Sequence, residues 1–157
     1  MRLALIWVGR AGKKGPEQTL CQRYLARLAP FVKWEEKVVK PLGSNLRLAE
    51  IQKRESDRIR QHLEPGDVLV LADSRGKNLS SEGLAEQLEK WEARGVKRLI
   101  FCVGGAMGVD EEMRQRADFM LSLSKMTLPH ALARVVLVEQ LYRAWCIKTG
   151  HPYHHEG

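Results

Sequence analysis

Apolar positions along the chain follow two alternating patterns. Residues 3–8, 68–72 and 99–103 are unbroken apolar runs of five or six residues, and 119–123 is a similar run interrupted only by Ser122, the pattern of strands buried on both faces. Between the runs, apolar residues recur at helical spacing. Leu20, Tyr24 and Leu28 stand four apart, so a helix is predicted from Pro16 to about Ala29, with Pro30 ending it. Residues 31–39 read as a further strand with Val32, Trp34 and Val38 on one face, although Glu36 interrupts the alternation. A charged helix over 46–63 carries a thin stripe of Leu48, Ile51, Ile59 and Leu63. Ser80 or Ser81 caps the next helix, which holds Leu84, Leu88 and Trp91 on one face and stops at Gly95. A short helix runs from Asp110 to about Arg116. Pro129 opens the last helix, with Leu132, Val136, Tyr142 and Trp145 among its expected buried positions and Gly150 at its end. Strands alternating with helices predict an α/β fold, a mostly parallel sheet flanked by helices. With no internal repeat and no linker, residues 1–157 read as a single domain.

Composition adds a direction to this picture. The net charge is +7, and it is unevenly placed. Residues 1–60 hold 14 Lys and Arg against 6 Asp and Glu, whereas residues 61–157 hold 12 against 13. The first part of the chain is therefore the part suited to a polyanion such as nucleic acid, or simply to a solvated surface. The charged helix admits both readings: an i,i+4 pair such as Glu50–Arg54 solvates a face, and an RNA-facing surface uses the same residues. No apolar run reaches the roughly 18 residues of a membrane span, and the opening apolar run is too short for a signal-peptide core. Cys21, Cys102 and Cys146 are odd in number, lie in apolar surroundings and have no metal-ligand spacing. These features place the protein in the reducing cytoplasm.

Candidate chemistry concentrates in three places. Gly104, Gly105, Ala106, Met107 and Gly108 follow an apolar run and precede a helix. Such a turn lets a ligand approach the backbone, or is a plain tight turn. It is neither the spaced glycine fingerprint of dinucleotide folds nor a triphosphate loop. The bend Ser124, Lys125, Met126, Thr127, Leu128, Pro129 and His130 is rich in large apolar residues for a turn. It either packs on the core or walls the flat face of a ring such as adenine. Both bends end strands, where open α/β sheets bind ligands, so they are expected to share one pocket. The third place is the tail, with His151, Tyr153, His154 and His155 close together. It reads as a disordered end or as a flap over the pocket. No metal site is expected, because the histidines lack tetrahedral ligand spacing.

Residues 128–155, with the upstream VGGAMG and LSLSKMTLP motifs, resemble the small SPOUT-class methyltransferases of large-subunit (23S) ribosomal RNA, and more narrowly the pseudouridine N3-methyltransferase family. The resemblance covers essentially the whole chain. It implies a C-terminal trefoil knot, an exception to ordinary chain threading, together with a homodimer and S-adenosylmethionine as methyl donor. Carried over residue by residue, it assigns the cofactor to Ala72, Asp73, Gly105, Ser124, Lys125, Met126, Thr127, Leu128 and Pro129. Where the family has a Leu-Asp pair at the end of the third strand, this chain has Ala72 and Asp73. Methylating an imide nitrogen calls for removal of its proton. His154 is the expected base, since histidine titrates near neutrality. Tyr153 is expected to stack on or orient the uracil ring, and Arg143 to hold a phosphate or a developing imidate oxygen. Arg10, Lys13 and Lys14 are expected to contact RNA phosphates. A transfer-RNA methyltransferase of the same fold and a non-catalytic nucleotide- or RNA-binding module stay open as alternatives.

Overall fold

The computed structural model describes residues 1–10, 15–43 and 45–155. Five strands, β1 (Arg2–Val8), β2 (Trp34–Val39), β3 (Val68–Asn78), β4 (Arg98–Val103) and β5 (Phe119–Ser122), form one sheet in the order β2-β1-β4-β3-β5. All four pairings are parallel. Five helices alternate with them: α1 (Pro16–Leu28), α2 (Leu48–Arg60), α3 (Ser81–Ala93), α4 (Glu111–Arg116) and α5 (His130–Thr149). The predicted α/β architecture is the observed one.

The unbroken apolar runs are explained by burial on both sides. Leu3, Leu5, Trp7, Leu99 and Phe101 face α1, α3 and α5, whereas Ala4, Ile6, Val8, Ile100 and Cys102 face Ile59 of α2 and Met113 of α4. This is the period of two expected of a strand. Glu36, which broke the pattern in β2, accepts a hydrogen bond from the Trp7 indole N–H at 2.9 Å. The alternation fails there because a buried ring needs an acceptor.

Several expectations change in detail. β2 begins at Trp34 rather than at residue 31, and α2 spans Leu48–Arg60 rather than 46–63. β3 continues beyond the apolar run 68–72, through Asp73, Ser74, Arg75, Gly76 and Lys77. It does so by shifting register against β5 between Ala72 and Lys77. Gly76 makes this possible, since a Cβ there would lie 2.5 Å from the Met120 carbonyl carbon. Leu48 and Leu132, expected inside, are 55% and 43% exposed, and Val136 is only partly buried. The buried face of α5 runs instead through Ala133, Leu137, Val138 and Leu141, which pack between α1, α3 and the sheet. Ser80 caps α3, and Gly150 ends α5 at φ +72°, as predicted. Among the described residues, no helix is long and apolar enough to cross a membrane.

Candidate cofactor site and tail cluster

The predicted meeting of two bends occurs. The ends of β3, β4 and β5 and the start of α5 enclose a cavity of about 220 Å³. Ala72, Asp73, Gly105, Ser124, Met126, Thr127 and Leu128 line it, so seven of the nine expected cofactor residues converge. Lys125 and Pro129 are exposed and do not line it. They belong to the bend without forming its wall.

The local reasons are visible in the backbone. Gly108 sits at φ +77° and donates its N–H to the Gly105 carbonyl at 3.0 Å. A Cβ on Gly104 would press on Val109, and one on Gly105 would lie 2.7 Å from Glu55 Oε1. This turn needs glycine for close packing as well as for conformation. It is pinned to α2 from outside. Gln52 donates to the Met107 carbonyl at 2.8 Å, and Ser56 Oγ accepts from the Asp110 N–H at 2.9 Å. Asp110 caps α4 and accepts from Arg60 at 2.8 Å. Burial alone would raise the Asp110 pKa. The Arg60 and Met113 hydrogen bonds outweigh it and hold the carboxyl below its ordinary range. At the other wall, a hydrogen bond from Arg75 keeps the Asp73 carboxyl low against a burial effect, with Arg114 adding its charge.

The donor set suits an adenosine-bearing sulfonium. Val103, Leu123, Leu128 and Ala133 give apolar walls for a flat ring, and an ionised Asp73 offers a hydrogen-bond acceptor and negative charge.

The three expected catalytic residues also come together, but elsewhere. Arg143 on α5 donates to Glu139 Oε1 at 2.6 Å, and its guanidinium lies over the Tyr153 ring at 4.8 Å. It also meets His154 Nδ1 at 3.2 Å. His154 Nε2 lies 2.7 Å from Glu82 in the first turn of α3. The Tyr153 hydroxyl donates to Glu139 Oε1 at 3.0 Å. Burial and the Glu139 carboxylate both push the Tyr153 phenol well above its ordinary pKa. None of the three lines the cavity between the two bends. From His130 to Arg143 is about 20 Å along the helix axis at 1.5 Å per residue. The tail of this chain therefore packs on α5 and α3 and does not lie over its own cavity.

Of the expected RNA contacts, Arg10 is exposed at the end of β1 and lines a second cavity beside the first. Lys13 and Lys14 lie outside the described residues. His151 packs edge-on against Phe31 at 5.9 Å between centroids. Among the described residues, no group of three or more His, Cys, Asp or Glu is placed to hold a metal ion. The cysteines are free and buried, and burial pushes the Cys21 thiol up to about 11 and Cys102 up to about 12. Neither is a thiolate near neutral pH.

A family model described as "Predicted SPOUT methyltransferase" matches residues 1–154. The chain belongs to the SPOUT methyltransferases. Members of this family take their methyl group from S-adenosylmethionine. The chain is 46% identical over 156 residues to the Ribosomal RNA large subunit methyltransferase H of Acidiphilium cryptum, covering 99% of this chain and 95% of the relative. The proteins of that name from Rhizobium meliloti and Acetivibrio thermocellus are 45% and 40% identical, each over 98% of this chain and 99% of the relative. Among solved structures, "a probable methylase family protein from Haemophilus influenzae Rd KW20" superposes with a TM-score of 0.55 at 10% identity, covering 99% of this chain and 70% of that one. That likeness concerns the fold alone.

One residue of consequence escaped the sequence reading. Glu55 is 3% exposed, with Oε1 lacking any hydrogen-bond partner among the described residues. A signal for it exists: Ile51, Glu55 and Ile59 stand four apart, so a carboxylate occupies the apolar stripe of α2.

Proposed function

We propose that this protein transfers a methyl group from S-adenosylmethionine to N3 of a pseudouridine in large-subunit (23S) ribosomal RNA, acting in the cytoplasm as a homodimer. The observation that carries the substrate is the near full-length identity to relatives named Ribosomal RNA large subunit methyltransferase H. The reading includes the family's trefoil knot. In its support, residues 124–129 carry the chain from β5 at the sheet edge to α5, whose Arg134 reaches the Val8 carbonyl at the end of β1.

The homodimer accounts for the separated tail. Arg143, Tyr153 and His154 lie together yet away from their own cavity, so a second copy would present them to it. Met107, Met126 and Leu132 support this: they are 49%, 78% and 43% exposed on segments bordering the cavities, the kind of surface that a partner covers. The bound donor supplies an electrophilic methyl group. The protein's own residues do the rest. His154 takes the imide proton on Nδ1, giving up the Arg143 hydrogen bond while Nε2 stays on Glu82. Tyr153 orients the ring, and the released Arg143 balances the negative charge that spreads onto the ring oxygens. Arg10, Lys13 and Lys14 contact phosphates. Neutralising all three lowers the slope of RNA affinity against salt by up to about 3. An unchanged slope removes that segment from the interface.

The deciding experiment offers labelled donor with large ribosomal subunits or with bulk transfer RNA and analyses the nucleosides by mass spectrometry. The expected product is N3-methylpseudouridine from the subunits only. Label in transfer RNA alone, or donor binding without transfer to either RNA, overturns the reading.

A further inference from the structure

Beside the cofactor cavity lies a larger one of about 630 Å³, walled by Val8 and Gly9 of the β1 end, by Gly105 and Met107 of the β4 turn, and by Glu55 of α2. Gly105 and His130 belong to the walls of both cavities. The larger one opens where the chain direction across the sheet diverges. From β1 the chain turns to α1 on one face and on to β2. From its neighbour β4 it turns to α4 on the other face and on to β5. Open α/β sheets bind ligands at such a switch point. The function proposed above assigns only Arg10, at its rim, to RNA and gives the rest of this space no role.

Its one buried acid is chemically specific. Glu55 Oε2 accepts the Leu42 N–H at 2.9 Å, which leaves Oε1 unpaired against Gly105. A desolvated carboxylate oxygen without a donor is costly, and a carboxylate can only accept. The missing partner is therefore an N–H or O–H brought by something that enters the cavity.

We propose that this cavity seats the target base and that Glu55 Oε1 reads the N1–H of pseudouridine, making Glu55 the residue that separates pseudouridine from uridine. The proposal rests on the pseudouridine reading above. A ring linked to ribose through carbon carries two N–H groups. The N3 lone pair must face the methyl donor across the shared wall, so N3 is not available as a hydrogen-bond donor to Glu55. That leaves N1–H. In uridine N1 bears the sugar, the corresponding ring edge is C–H, and Glu55 stays unpaired. Sites built to bond a substrate N–H reject analogues lacking it by large factors. Arg134 also lines this cavity; its Nε–H is buried and unpaired, and its guanidinium is held by the Val8 carbonyl and lies over the Trp7 ring.

The test uses large subunits carrying pseudouridine, uridine or N1-methylpseudouridine at the target position. Wild-type protein is expected to methylate the latter two at least about 100-fold more slowly than pseudouridine. In Glu55→Gln the amide oxygen still takes the Leu42 N–H, but the other arm becomes a donor. The pseudouridine-to-uridine ratio of kcat/KM then falls at least about tenfold, through loss on pseudouridine. Donor affinity, measured by calorimetry, stays within about twofold, because Glu55 lies outside the cofactor cavity. The proposal is overturned if the wild type treats N1-methylpseudouridine or uridine like pseudouridine, or if Glu55→Gln keeps the wild-type ratio. The wild-type arms decide alone should that variant fail to fold. Transfer without preference sinks this proposal only, whereas no transfer to pseudouridine subunits sinks the proposed function with it.

Discussion

The two ends of α5 belong to regions of unequal completeness. At its first turn, Ala133 and His130 close a cavity walled by the ends of β3, β4 and β5. At its other end, Arg143 gathers Tyr153 and His154 into a cluster whose polar groups satisfy one another through Glu139 and Glu82. The first region is shaped by strand ends and the bends that follow them. The second is shaped by side chains and, on the proposed reading, reaches its task only in a second copy. Donor binding and methyl transfer should therefore respond to different substitutions and combine differently between subunits.

The largest effect expected from this contrast comes from mixing two dead variants. Leu128→Arg fills the cofactor cavity, and His154→Ala removes the expected base. Each alone abolishes transfer. If the tail serves the other subunit's cavity, randomly mixed dimers recover about a quarter of wild-type activity, since half are mixed and each holds one intact pair. Recovery near zero would place cavity and tail in the same chain and break the comparison.

Next in size is Arg143→Ala. It removes the cation that stacks on Tyr153 and bonds Glu139. Single-turnover methyl transfer is expected to fall by about 100-fold, a loss typical of an electrostatic group at a reacting centre, with donor affinity within about twofold. A matching loss of donor affinity would mean that the tail is part of the binding wall.

The unequal completeness also explains what could be read from the sequence. Buried strands of a parallel sheet announce themselves as apolar runs, so β1, β3, β4 and β5 were located by composition alone. The two bends were legible because they end such runs. What failed was anything depending on a second element. The extension of β3 past Asp73 depends on Gly76 lying against the Met120 backbone, a contact between residues 44 apart in sequence. The exposure of Leu132 and Leu48 contradicts helical periodicity, which records only where apolar residues stand. The position of the tail on α5 and α3 has no local signature at all. Glu55 was hidden by its neighbours: in a helix crowded with Lys53, Arg54, Asp57 and Arg58, one more charge looks solvated.

A smaller effect, on the cavity side only, is predicted for Gly76→Ala. The new Cβ would sit 2.5 Å from backbone atoms that cannot swing away, so the β3–β5 edge must separate locally. We expect a loss of about 2 kcal/mol in unfolding free energy by denaturant titration. A several-fold weaker donor affinity follows, because β5 leads directly into the Ser124 to Leu128 wall. Unchanged stability would show that the register shift is loose.

The smallest effect concerns the pin that holds the β4 turn to α2. Asp110→Asn keeps a good helix cap but loses the charge facing Arg60; both side chains are about one-fifth exposed, at 18% and 19%. A partly buried pair of this kind contributes about 1 kcal/mol. The folded-state pKa of Asp110 is held below its ordinary value, so its contribution is complete above the unfolded carboxyl pKa. It is lost as pH falls through the lower folded value. Wild type and Asp110→Asn should therefore differ in stability at pH 7 and converge in acid once the pH has fallen below the folded-state value. Because the pin borders the cavity and touches nothing in the tail, the variant should weaken donor binding slightly and leave the single-turnover rate at saturating donor unchanged. A slower rate at saturation would mean that strain at the β4 turn reaches the reacting atoms, and the two regions would then be coupled through α5.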